Sequence, residues 1–207
     1  MRAQRLLFAF LFALTLAAPV RGASGKVEAI GPFTGPASAS VKQALDPAGY
    51  RVRLADGTVA CEVWFSGRGA GLSPSAFVGV LSFPAPASDF RGQAIKAGSY
   101  TLRYAQMPGD GNHLGAAPTT DFLLLSPLAV DTDAGASFSF EKLTKMSALA
   151  SGTNHPAPLN LADPSGQKAF PAVAGNEYGH EVFFVKLKAA GGGDVAIGLV
   201  VKGSTDH

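Results

Sequence analysis

The stretch Ile95 to Leu125, IKAGSYTLRYAQMPGDGNHLGAAPTTDFLLL, decides how the chain is read. Tyr100, Leu102 and Tyr104 alternate with Thr101, Arg103 and Ala105, the period-2 pattern of a strand with one buried face. From Met107 to Thr120 the pattern breaks: three glycines, two prolines, Asp110, Asn112 and His113 supply turns and hydrogen-bonding groups but cannot propagate a ladder. Asp121 to Leu125 then resumes as a short apolar strand. A loop of that length between two strands is more often functional or mobile than inert.

The same alternation recurs on both sides of this unit. Tyr50 to Leu54 and Val59 to Phe65 flank Asp56-Gly57, a type I′ hairpin signal, and place Cys61 on the apolar face as a packed small hydrophobe. Val27 to Ile30 reads as an edge strand, Ser40 to Leu45 as one or two helical turns stopped by Asp46-Pro47, and Phe77 to Phe83 as a strand. At the C-terminal end, Phe183 to Leu187 and Val195 to Val201 form a hairpin about a glycine-rich turn; the second arm is apolar on both sides, which places it near the centre of a sheet. The clearest helix starts at Ser139 as N-cap, carries Phe140, Leu143, Met146 and Ala150 on one side, and stops at Gly152. Together these elements predict a mainly β chain: an antiparallel β-sandwich of about seven or eight strands with one short helix, formed by a single domain over 24–207.

Arg2 and Arg5 precede an apolar run from Leu6 to Ala18, followed by small residues. This is the layout of a secretory signal peptide over 1–23, with cleavage after Ala18, Gly22 or Ser24, and the run is too short for a comfortable membrane span. The expected compartment is therefore periplasmic or extracellular, with no membrane span after cleavage. Removing 1–22 takes away Arg2, Arg5 and Arg21, leaving 14 basic against 15 acidic residues, a formal charge of −1. Such a chain lacks an electrostatic footprint for nucleic acid. With Cys61 as its single cysteine it forms no internal disulfide and relies on its core.

Enzyme signatures are scarce. Gly67 to Gly71 is glycine-rich but leads into a strand and lacks the Lys-Ser/Thr of a phosphate loop. Ser139-Phe-Glu-Lys142 has the S-x-x-K spacing without its partner motifs, so it reads as a helix cap. Ser204, Asp206 and His207 fall in a terminal tail. The expectation is a binding or interaction module without catalytic turnover, whose partner is a small ligand, a metal or an extracytoplasmic protein; a hydrolase with a dispersed site is the competing class.

Three histidines fall in polar loops that abut strands, as Asp110-Gly-Asn-His113, Asn154-His155-Pro156 and Tyr178-Gly-His180. If these loops share one end of the fold, Asp110, His113, His155 and His180 form a copper- or zinc-type site, with Met107 as a soft ligand for reduced copper. If they do not, each histidine anchors its own turn, and the binding surface is expected to use Trp64, Tyr104 or Tyr178 as exposed aromatics. The segment Ala97 to Tyr104, with Asp110 to His113 and Phe122 to Leu125, resembles the C-terminal strand-loop-strand of periplasmic copper-resistance β-sandwich proteins. That resemblance covers about 30 residues and implies copper ligation by Asp110 and His113; the spacing is one residue longer, and the N-terminal histidine of that family is missing. AGSYTLRY, DGNHLG, DFLLLSP, SGTNHPAP and GLVVKG are also similar to a group of secreted bacterial proteins of unknown function, a resemblance that implies no activity.

Overall fold

The computed structural model describes residues 24–69, 71–108 and 119–203. The proposed signal segment, Asp110, His113 and the tail from Ser204 lie outside the described residues. In chain order the elements are β1 (Lys26–Ile30), α1 (Ala39–Ala44), β2 (Gly49–Arg53), β3 (Val59–Phe65), β4 (Phe77–Phe83), β5 (Ala87–Ser88), β6 (Ala94–Ile95) and β7 (Gly98–Gln106). They continue as β8 (Asp121–Pro127), α2 (Phe140–Ser151), β9 (Pro158–Ala162), β10 (Ala172–Gly175), β11 (Glu181–Lys188) and β12 (Asp194–Lys202).

Ten of these strands form one antiparallel sheet in the order β1-β2-β3-β4-β7-β8-β9-β12-β11-β10, and β5 pairs with β6 as a separate small hairpin. The sheet curls until its two ends meet. A Cβ on Gly25, just before β1, would lie 2.8 Å from Cγ1 of Val173 in β10, and the Glu181 carboxylate at the start of β11 accepts a bond from the Ala55 N–H beyond β2. Among the described residues, the expected sandwich of seven or eight strands with one helix is thus corrected to a nearly closed, barrel-like sheet with two helices. Alternation specifies which side chains of a strand point inward. It does not distinguish two stacked sheets from one sheet curled on itself, because both bury one face of every strand.

The inner face carries the main apolar cluster, including Val52, Val63, Leu102, Leu123, Leu159 and Phe183. Cys61 sits in it fully buried, and burial drives its thiol pKa upward. The Asp56-Gly57 hairpin joins β2 to β3 as expected, but with positive φ at Gly57 and not at Asp56, so the turn is not type I′. Gly57 donates its N–H to Leu54, and Thr58 closes the ladder onto the Leu54 N–H.

The outer face is also largely covered, in three patches. α1, capped by Ser38, sets Val41 and Ala44 on Phe77 and Val80. α2 has the predicted Ser139 cap, accepting from the Lys142 N–H, and ends at Gly152 with φ 71°; its Leu143 packs on Ala105, Phe122 and Leu124. Phe90, between β5 and β6, covers Val182, Phe184 and Val200 together with Phe170.

Between the first two patches lies a buried ion pair. Arg103 points outward from β7, yet both it and Asp131 are fully buried. Nε and Nη2 of Arg103 bind the two Asp131 oxygens at 2.7 and 2.9 Å. Nη2 also donates to the Asp133 carbonyl, and Nη1 to the carbonyls of Ser75 and Ala136. The guanidinium lies 4.7 Å from the Phe138 ring centroid, and Thr101 adds a 2.6 Å bond to Asp131. Ser75 holds φ at 71°, the left-handed region; bonds from its N–H to Tyr104 and from the Phe138 N–H to its hydroxyl keep it there.

Removing one member of a buried pair strands the other charge, a loss of about 3–5 kcal/mol. Asp131→Ala is therefore expected to lower unfolding free energy by about that amount in urea titration, and adding Arg103→Met to it should recover part of the loss. A loss below about 1 kcal/mol would show that the pair is dispensable.

Candidate functional site

β9 has the sequence Pro158-Leu-Asn-Leu-Ala162. Leu159 and Leu161 belong to the inner cluster, so by strand alternation Pro158 and Asn160 face outward. Pairing sets Asn160 opposite Phe122 of β8 on one side, while Leu161 pairs with Leu199 of β12 on the other. Asn160 is 3% exposed, and neither Nδ2 nor Oδ1 has a hydrogen-bond partner among the described residues. That is an uncommon state, because an unmet buried amide costs about 1–3 kcal/mol.

Two outer-face cavities meet at this side chain. The first, about 380 Å³, runs from Asn160 toward α2: Phe122 and Phe140 form its apolar wall, Met107 and Pro108 one side, and Arg91 and His155 its basic groups. The second, about 340 Å³, runs toward the turn before β11, with Phe184 and Val200 as floor, Tyr178 and His180 at the turn, and Asp163 and Glu177 as acidic groups. The site is the strip of sheet that neither α2 nor the Phe90 segment covers.

Local chemistry fixes each wall. In the 176–180 turn the Asn176 side-chain oxygen accepts from the N–H groups of Tyr178 and His180, both at 3.0 Å, and Gly179 supplies the positive φ. His180 is buried, with its ring 6.0 Å from that of Tyr178. Asp89 Oδ1 accepts from the N–H groups of Arg91 and Gln93 at 2.9 Å, a turn that presents Phe90 inward and Arg91 outward; burial raises the Asp89 pKa. The Arg91 guanidinium stands 5.2 Å over the Phe90 ring. Ser165 donates from hydroxyl and N–H to Asp163 and holds that carboxyl below the ordinary range. After α2, Ser151 and Thr153 bind the His155 backbone and leave its imidazole exposed.

Of the four residues expected to ligate metal, His155 and His180 line different cavities that share Asn160, while Asp110 and His113 lie outside the described residues. No group of three or more His, Cys, Asp or Glu able to hold a metal occurs among the described residues. Of the three aromatics expected at the surface, Tyr178 is 45% exposed, whereas Trp64 and Tyr104 are buried, a correction. Trp64 donates to the Gly31 carbonyl and packs edge-on to Phe33. Tyr104 faces the inner cluster and reaches the Asp121 carboxylate with its hydroxyl; burial and that carboxylate push its pKa to about 12. Comparisons with family models, curated proteins and solved structures returned no match.

Asn160 did not stand out in the sequence; Leu159-Asn-Leu161 reads as an ordinary strand with one polar side. If its amide is unmet in the ligand-free protein, Asn160→Leu should raise unfolding free energy by about 1–2 kcal/mol, because the desolvation cost of the amide is removed. Denaturant titration showing a loss of more than about 1 kcal/mol would mean that the amide is already satisfied.

Proposed function

We propose that this chain is an exported, non-catalytic binding module whose ligand lies on the outer face of the sheet against Asn160. The observation that carries this reading is the buried carboxamide, without a described partner, at the meeting point of two cavities. Each cavity falls within the range of small-molecule sites, which combine apolar walls with a few convergent polar groups. A carboxamide at the centre gives and accepts hydrogen bonds but exchanges no proton near neutral pH, which suits recognition more than turnover. Export rests on the Arg2/Arg5 and Leu6 to Ala18 layout.

A second reading, divalent copper or zinc held by Asp110, His113, His155 and His180, has one specific support. Met107 and Thr119, near the two ends of the loop that carries Asp110 and His113, line the cavities of His155 and His180 respectively. The two readings separate in a thermal-shift and calorimetry experiment. A ligand of the Asn160 face at 100 times its Kd stabilises the chain by about 2.7 kcal/mol, and Asn160→Leu, binding about tenfold more weakly, cuts this to about 1.4 kcal/mol or less at the same concentration. On the metal reading, zinc or copper(II) produces the stabilisation, His113→Ala removes it and Asn160→Leu retains it. Equal metal uptake by wild type and His113→Ala would end the second reading.

A further inference from the structure

We infer that the paired cavities take a short peptide with free termini, the N–H and carbonyl of its middle residue clasped by Asn160. This deepens the proposed binding role and rests on the same face being a ligand site. The Asn160 carboxamide presents an acceptor and a donor side by side. An extended residue offers the complement, because its own N–H and its own carbonyl project to the same side of the chain, the N–H donating to Oδ1 and the carbonyl accepting from Nδ2. An anion would leave Oδ1 unmet, and a cation would leave Nδ2 unmet, so the centre calls for a neutral group with both functions.

The two ends differ in charge. Arg91 and His155 stand in the α2-side cavity, and Asp163 and Glu177, with the buried His180 beside them, in the other. From one cavity through Asn160 to the other the order is basic, neutral amide, acidic, which complements carboxylate, extended residue and ammonium. Phe122 and Phe140 at one end and Phe184 at the other give apolar side chains a surface. Cavities of about 380 and 340 Å³ lie at the small end of the ~300–1,000 Å³ range of ligand sites. They suit a tripeptide.

The test uses the mature chain, nitrogen-15 labelled, with Ala-Leu-Ala, its N-acetyl form, its C-terminal amide, maltose and zinc chloride as probes. Ala-Leu-Ala is expected to shift the Asn160 side-chain resonances, and Asn160→Leu to weaken its binding by about tenfold or more in calorimetry. Acetylation should weaken binding about threefold in wild type and have no effect in Asp163→Asn/Glu177→Gln; amidation should do the same in wild type and have no effect in Arg91→Gln/His155→Gln. Equal affinity for free and capped peptides overturns the assignment of the ends. If maltose or zinc moves the Asn160 resonances and Ala-Leu-Ala does not, the peptide class falls while the face stands as a ligand site. If no probe moves them, both readings fall.

Discussion

The Arg103–Asp131 pair is the constraint on which the outer surface depends. A guanidinium has five N–H donors, and those of Arg103 reach both oxygens of Asp131 and the carbonyls of Ser75, Asp133 and Ala136. One side chain on β7 thereby ties down the turn before β4 and the segment between β8 and α2. That segment delivers Ser139 to its capping position, and the cap fixes where α2 begins. Phe140, the first residue of α2, is a wall of the candidate site. The chain of dependence runs from a buried charge pair through helix placement to the shape of a cavity.

What the rest of the outer face does follows from coverage. Sheets curled this far bury their inner face by closure, but apolar residues on the outside still need neighbours. α1, α2 and the Phe90 segment meet that need over β4, over β7–β8 and over β11–β12. β9 falls between the last two covers. It carries Asn160 where a fourth apolar contact would have stabilised the chain more. A buried amide without a described partner at that place is a local cost of the kind that ligand sites carry, since complementarity to a ligand is in tension with complementarity to the protein itself.

The strands and their inward faces were legible in the sequence because alternation is a local property. Tyr100, Leu102 and Tyr104, the Cys61 strand and Phe183, Val185 and Leu187 all face as the pattern indicates. Ser139 and Gly152 marked the ends of α2 through cap chemistry, which is equally local. Thr101 and Arg103 look like a solvated face in the same pattern, yet both are fully buried. Their cover comes from residues about 30 positions further along the chain, and no local period reports that. Closure into a barrel-like sheet was hidden for the same reason. Asn160 was the least legible residue: its flanks fix it as outward-facing, and only the placement of α2 and of the 88–93 and 176–180 turns makes that outward position a buried one. The loop histidines drew notice because imidazole is versatile chemistry, but versatility says nothing of convergence.

The most direct test of the central claim is an experimental structure of residues 24–207 grown with Ala-Leu-Ala, at a resolution that orients the Asn160 amide. The account predicts the peptide across both cavities, the N–H of its middle residue donating to Asn160 Oδ1 and the carbonyl of that same residue accepting from Nδ2 at about 2.9 Å each. A structure in which protein groups satisfy both atoms of that amide, with the peptide elsewhere or absent, would contradict it.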